Sequence, residues 1–140
     1  MARIVVAFIC LIALGFGLIR VGAGTVLMAQ AAGIIDVVAF NEPITDINRF
    51  MGEKNDQAIV PLNAVSYLGV IAFMGVSLVL GAVGSWRRKI WGYGVLALYL
   101  ATHAALFVNF QTINPKINIL IAGIVMYFTL IIANSFRRSS

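Results

Sequence analysis

The chain has 140 residues, of which 61% are hydrophobic and 11% are charged, with a net charge of +5. Ordinary soluble domains are roughly 45–50% apolar and about 25% charged, so this composition excludes a soluble globular domain. Four apolar segments of about 20 residues use more than half of the chain and leave no room for a second domain. We therefore expect a single transmembrane domain over residues 1–140, an all-α integral membrane protein built as an up-down-up-down four-helix bundle.

The first apolar segment predicts a span over about residues 4–23 that could extend toward Ala29. Ala29-Gln30-Ala31 has the small-residue pattern of a signal-peptide cleavage site. Arg20 interrupts the apolar run, however, which is unusual for a signal peptide. We expect an uncleaved first span.

The long first connection carries all five acidic residues of the chain, between Asp36 and Asp56. After Pro43, the residues Ile44, Ile47 and Met51 recur at helical spacing, and Gly52 provides a stop signal. This pattern predicts a short amphipathic helix lying on the outer surface of the bundle. A plain solvated loop is the alternative.

The remaining apolar segments predict spans over about residues 62–83, 90–110 and 115–134. Basic residues fill the second connection at 87–89 and close the chain at 137–138. Because Lys and Arg near span ends favour the cytoplasmic side, we expect both termini to be cytoplasmic, N-in and C-in. Topology and contact with anionic lipids explain the positive charge, so we expect membrane lipids and no nucleic acid as partners.

Arg20 is the most unusual residue of the first span. It lies 17 residues beyond Arg3, roughly 25 Å along a helix, in the outer half of the membrane. Three interpretations remain open: the side chain extends to the outer head groups, it pairs with Asp36 or Glu42, or it binds an anionic ligand or lipid. Gly17 and Gly24 share its helix face and allow a close approach of another segment.

His103 is the single histidine and falls in the outer half of the third span. It can hydrogen-bond across helices, handle protons or contact a quinone. One histidine offers too few ligands for zinc, although two copies in a homodimer could ligate a haem.

The third span shows two stripes of residues. Ala97, Ala101 and Ala105 repeat every four residues, and Tyr99 and His103 lie on the opposite side of the helix. Small residues mark close helix contacts, and a histidine should avoid lipid. We therefore expect either a central position for this helix or a contact with a second protein.

No catalytic or metal-binding motif occurs in the sequence. Cys10 is the single cysteine, and the predicted spans contain no acidic residue. Ion pumps and proton-coupled transporters usually need such an acid. We therefore assign no catalytic residue, no metal and no cofactor, and leave open whether the protein is an enzyme.

The glycines from Leu68-Gly69 through Gly75 and Gly81 to Arg87-Arg88, followed by an alanine-rich third span, resemble the DoxX-like group of small bacterial four-helix membrane proteins. The resemblance covers residues 64–135 and implies a bacterial inner-membrane bundle. Many DoxX relatives carry a glutamate early in the second span, where this chain has only apolar residues. This departure weakens the transfer of a redox or quinone-linked role.

Two functions are consistent with these features. The first is a non-catalytic inner-membrane protein that associates with itself or serves as an accessory subunit of a membrane complex. The alternative is a protein that binds a hydrophobic small molecule, a quinone or a lipid, in an outer-half pocket. The residues expected to line that pocket are Arg20, Tyr99, His103 and Asn109.

Overall fold

The structure is a computed structural model that describes residues 2–111 and 117–136. Pro115, the expected start of the fourth span, and the basic residues at 137–138 lie outside the described residues. The described chain forms five α-helices and two short 3-10 helices, with no strand: α1 Ala2–Ala31, α2 Asn41–Lys54, α3 Ala64–Trp86, α4 Ile90–Phe110 and α5 Ile117–Phe136, with the 3-10 turns at Val38–Phe40 and Asn55–Gln57.

Helices α1, α3, α4 and α5 are long and apolar enough to cross a membrane. The chain is therefore a multi-pass, all-α membrane protein, and the predicted four-helix bundle is confirmed. Helix α1 begins at Ala2 and continues through Gly22 and Gly24 to Ala31, beyond the predicted extension of the first span toward Ala29. Gly24 is buried against Ala72 of α3, so packing between helices outweighs the low helix propensity of glycine.

The four long helices form a closed ring, in which α1 packs on α3, α3 on α4, α4 on α5 and α5 on α1. The core between them contains the fully buried side chains of Val6, Cys10 and Met74 together with Leu130. We call the end of the bundle that carries α2 the α2 end. The opposite end carries the short turn at 87–89 and residues 2 and 136. At that end Nδ2 of Asn134 on α5 donates to the carbonyl of Ser85 on α3 at 3.4 Å.

The backbones of α1 and α3 come into direct contact where the two helices cross at Gly17 and Gly75. A Cβ atom on Gly75 would lie 2.7 Å from the backbone nitrogen of Val21 and 2.8 Å from the carbonyl oxygen of Gly17. Glycine is required at position 75 because the two backbones meet there. This crossing fixes the depth of α1 against α3.

Local signals set both ends of α3. Its first turn is capped by the side chain of Asn63, whose Oδ1 accepts a hydrogen bond of 2.8 Å from the backbone N–H of Ser66. At the other end, Arg88 adopts a positive φ of 56°. The backbone N–H of Lys89 then donates to the carbonyl of Gly84 at 2.8 Å, which satisfies one of the last helical acceptors.

The amphipathic helix predicted after Pro43 is present as α2. Met51 is buried and Ile44 and Ile47 are half-buried, whereas Asp46 and Arg49 are exposed and form an ion pair of 3.3 Å. The expected stop at Gly52 was wrong, because α2 continues to Lys54. The helix lies across one end of the bundle, in contact with α1 and α3.

The alanine stripe of α4 does not pack within the chain. Ala101 and Ala105 are exposed and Ala97 is half-buried, because α4 contacts α3 and α5 through its other faces. The alternative of a central position for this helix is therefore wrong. A contact of this stripe with a second protein stays a prediction.

We predict that Gly75→Ala destabilises the protein, whereas Gly15→Ala does not. A Cβ at position 75 would collide with the backbone of α1, and overpacking of this kind costs about 1–3 kcal/mol. A Cβ on Gly15 meets nothing within 4 Å, so this variant controls for the change in helix propensity. Thermal unfolding in a mild detergent measures the difference. Equal melting temperatures for the two variants would contradict the α1–α3 crossing.

Candidate functional site

A cavity of about 390 Å³ lies at the α2 end of the bundle. We call it the head cavity. All five helices contribute to its wall, which is apolar and aromatic except for one arginine, one tyrosine and one histidine. The lining residues are Phe16, Arg20, Ile47, Phe50, Tyr67, Leu68, Ile71, Met74, His103, Leu106, Phe107, Phe110 and Ile119.

Arg20 extends from α1 into the wall of the head cavity. Its Nη1 donates to the sulfur of Met74 at 3.7 Å, and its guanidinium carbon lies 4.9 Å from the ring centre of Phe16 and 5.6 Å from that of Tyr99. These are weak partners for a cation, because a thioether is a poor acceptor and cation–π contacts give about 0.5–2 kcal/mol. The geometry holds the guanidinium in place without neutralising it.

The predicted pairing of Arg20 with Asp36 or Glu42 is wrong. Both acidic residues are exposed, and among the described residues the one ion pair joins Arg49 to Asp46. For Glu42 the physical reason is the orientation of α2, which turns its apolar residues toward the bundle and its acidic residues toward water. Asp36 precedes α2, in an exposed part of the connection. The acidic connection therefore supplies no counter-charge to the head cavity.

His103 lies in the same cavity as Arg20, as the pocket hypothesis requires. Its side chain is 5% exposed, stacks on Phe107 at 5.5 Å between ring centres and meets the edge of Tyr99 at 5.8 Å. No group of three His, Cys, Asp or Glu residues in the described part of the chain is placed to hold a metal ion. The ring thus stands in an aromatic wall beside a cation.

Tyr99 is buried between Arg20 and His103 and does not line the head cavity. Its ring faces a second cavity, described below. Tyr99 therefore separates two cavities and positions the Arg20 and His103 side chains on one side of itself. Tyr99 therefore lies next to Arg20 and His103 as predicted, but it does not share the cavity that these two residues line.

Asn109 lies outside the head cavity, so its assignment as a pocket residue was wrong. Its Oδ1 accepts a hydrogen bond of 2.8 Å from the backbone N–H of Val60, and its Nδ2 donates to the carbonyl of Val60 at 3.0 Å. Six residues separate Asn109 from His103, which turns it about 240° around α4. Its role is to tie the connection before α3 to the end of α4.

Three aromatic residues that the sequence analysis missed close the α2 end of the head cavity. Phe50 of α2 meets Phe110 of α4 edge-on at 5.3 Å, and Tyr67 of α3 lies 6.2 Å from both rings. Tyr67 and Arg20 line the same cavity. The sequence could have indicated Tyr67, because its hydroxyl lies one turn inside an apolar span. It could not have indicated Phe50, because the position of Phe50 depends on how α2 folds back onto the bundle.

A second cavity of about 330 Å³ adjoins the first between α1, α4 and α5. We call it the tail cavity. Phe16 and Ile119 line both cavities and form the boundary between them. The remaining wall is almost entirely apolar: Ile9, Ile12, Ala13, Leu78, Leu96, Tyr99, Leu100, Asn118, Ala122, Gly123, Met126, Tyr127 and Leu130.

No protein-family model, curated protein or solved structure matches this chain. The resemblance of residues 64–135 to DoxX-like proteins accordingly stays a prediction. The chemistry of the two cavities is the basis for a functional proposal.

Proposed function

We propose that the head cavity binds a hydrophobic small molecule, a lipid or a quinone, through an oxygen-bearing head group. The observation that supports this proposal is the position of Arg20. Its cation lines an apolar cavity and has no carboxylate partner among the described residues. A ligand oxygen that accepts hydrogen bonds from the guanidinium would complete its surroundings.

The energetics of a charge at this depth favour a ligand. A charged side chain inside a bilayer costs several kcal/mol unless it is paired, hydrated or bonded to acceptors. Hydrogen bonds to charged groups contribute about 1.5–3 kcal/mol each, so one or two ligand oxygens offset much of that cost. Tyr67 and His103 line the same cavity and supply further polar groups for the head.

The size and wall of the head cavity also suit a small molecule. Ligand pockets typically measure about 300–1,000 Å³ and are mostly apolar with a few polar groups, and the head cavity has this composition. Phe50 and Phe107 provide flat apolar surfaces for a ring or a chain. The proposal is for binding, and no residue is assigned a catalytic step.

We predict that Arg20→Gln weakens ligand binding by roughly tenfold or more, since it removes a charge-assisted hydrogen bond. Native mass spectrometry of the full chain in neutral detergent, titrated with a short-chain quinone and with palmitate, measures the bound fraction. Arg49→Gln is the matched control, because Arg49 is exposed on α2 at the same end of the bundle.

Two results would contradict the proposal. One is the absence of a one-to-one complex with either compound in the wild-type protein. The other is equal binding by Arg20→Gln and Arg49→Gln, provided that both variants melt at the wild-type temperature.

The second candidate function is association with another copy or with a larger membrane complex, for which the protein would be an accessory subunit. The observation that favours it is the outward face of α4. Gly94, Ala101 and Ala105 are exposed along one side of this helix, together with Leu98 and Val108. Small residues on a lipid-facing side allow two helix backbones to approach closely.

We predict that Ala101→Cys forms a disulfide-linked dimer in native membranes after mild oxidation. Val125→Cys, on an exposed position of α5, serves as the control. The native Cys10 is fully buried and should contribute no background. Equal cross-linking at both positions would indicate random collision and contradict a specific α4 interface.

We further propose that the protein lies in a bacterial inner membrane with both termini in the cytoplasm. The basic turn at 87–89 and the acidic connection lie at opposite ends of the bundle, which is the charge distribution that the positive-inside rule describes. In this orientation the head cavity opens in the outer leaflet.

Labelling with a membrane-impermeant maleimide tests this orientation. We predict that Asp56→Cys reacts in intact cells and that Lys89→Cys reacts only after the membrane is permeabilised. The reverse pattern would invert the orientation and place the head cavity in the inner leaflet.

A further inference from the structure

The head and tail cavities are neighbours, and Arg20 stands at the boundary between them. Its guanidinium lies over the rings of Phe16 and Tyr99, and both of these rings line the tail cavity. Phe16 and Ile119 complete the boundary and are each about one-third exposed, at 37% and 36%. Both side chains are thus only partly packed at the point where the two cavities meet.

The tail cavity has the form of an apolar slot. It follows α5 from Asn118 to Leu130, which is roughly 18 Å at the helical rise of about 1.5 Å per residue. The exposed positions Ile12 and Ala122 show that it opens on the side of the bundle between α1 and α5. A chain of methylene groups could enter it from the lipid without crossing a polar layer.

We propose that the natural ligand is a single-chain anionic amphiphile. Its carboxylate or phosphate binds Arg20 in the head cavity, and its apolar chain passes between Phe16 and Ile119 into the tail cavity. The proposal rests on the binding function proposed above and specifies the class of ligand. The shared chemistry is an anionic head on one long chain, as in a free fatty acid or a lysophospholipid.

Charge complementarity selects an anion over a neutral head. The cation at position 20 lacks a carboxylate partner in the described chain, and the acidic residues of the connection face away from it. A neutral carbonyl would accept a hydrogen bond but leave the net charge uncompensated at membrane depth. An anion both accepts hydrogen bonds from the guanidinium and compensates its positive charge.

The tail cavity favours a ligand with a long chain over a compact molecule that would fill the head cavity alone. A quinone ring would fill the head cavity and leave the tail cavity to its own isoprenoid chain or to bulk lipid. A straight chain attached to an anion at Arg20 leads directly past Phe16, because that ring lies 4.9 Å from the guanidinium. The passage at Phe16 and Ile119 is a single boundary, which suits one chain.

The test compares palmitate, palmityl alcohol and a palmitoyl lysophosphatidate for binding to the full chain in neutral detergent. We expect both anions to bind roughly tenfold or more tightly than the alcohol, because only they add an ion pair with Arg20 to the hydrogen bond that each head group can accept. The order of the two anions then distinguishes the two sources of the head group, and either order supports the proposal.

A second measurement locates the chain. Palmitate carrying a diazirine at the middle of its chain should label the tail cavity, in peptides covering residues 9–16 and 118–130. Ala122→Phe, which adds a ring to the slot, should weaken palmitate binding roughly tenfold while leaving a short-chain quinone unaffected. Ile121→Phe is the matched control, since Ile121 is exposed and lines neither cavity.

The outcomes separate this inference from the function on which it rests. Equal binding of palmitate and palmityl alcohol, or unchanged palmitate binding by Ala122→Phe, would overturn the inference. The binding function would stand in that case if a quinone still required Arg20. If neither quinone nor palmitate binds the wild-type protein, both proposals fall together.

Discussion

A single cation held inside the bundle, Arg20, is the constraint on which the rest of the site depends. The crossing of α1 and α3 determines where this cation can point, since Gly75 makes room for the backbone of α1 and for the Cβ atom of Arg20 itself. The sulfur of Met74, the residue before Gly75 on α3, accepts a hydrogen bond from the guanidinium. The contact between the two backbones thus sets the level and the direction of the Arg20 side chain. Its charge lies in the wall of a cavity whose other lining is mostly apolar. Because such a charge is costly in a low-dielectric medium, Arg20 is the group in this cavity that gains most from an added acceptor, which is the basis of the binding proposal.

The connection between α1 and α3 covers the end of the bundle at which this charge lies. Three amide side chains hold it in place by bonding to backbone groups: Gln30 accepts from Val37, Asn55 bonds both polar groups of Leu62, and Asn109 does the same with Val60. Backbone groups near a membrane must be satisfied, so these contacts specify the path of the connection. With that path fixed, α2 turns Ile47 and Phe50 into the cavity and its carboxylates into water. The connection therefore covers this end of the cavity and supplies no carboxylate partner to Arg20.

The sequence predicted the level of residues along the helices much better than it predicted which way their side chains face. Hydropathy and charge predicted the four spans, the amphipathic helix and the common depth of Arg20 and His103, which the structure places in one cavity. The errors concern the angle at which residues face around a helix. Asn109 faces the connection, Asp36 and Glu42 face water, and the alanine stripe of α4 faces outward. That angle depends on pairwise contacts such as Gly17 with Gly75, which apolar composition does not encode because almost every position in a span is hydrophobic.

The two faces of α4 explain why ligand binding and association need not compete. Tyr99 and His103 point into the bundle, whereas Ala101 lies about 200° from each of them on the outside. The tail cavity opens between α1 and α5, so its opening does not involve the exposed face of α4. A second protein docked on Gly94, Ala101 and Ala105 would therefore leave the lateral opening in contact with lipid. The same partner would press on the helix that carries His103 and the rings of Tyr99 and Phe107. Under the two proposals, a partner protein and a ligand would therefore contact opposite sides of the same helix without overlapping.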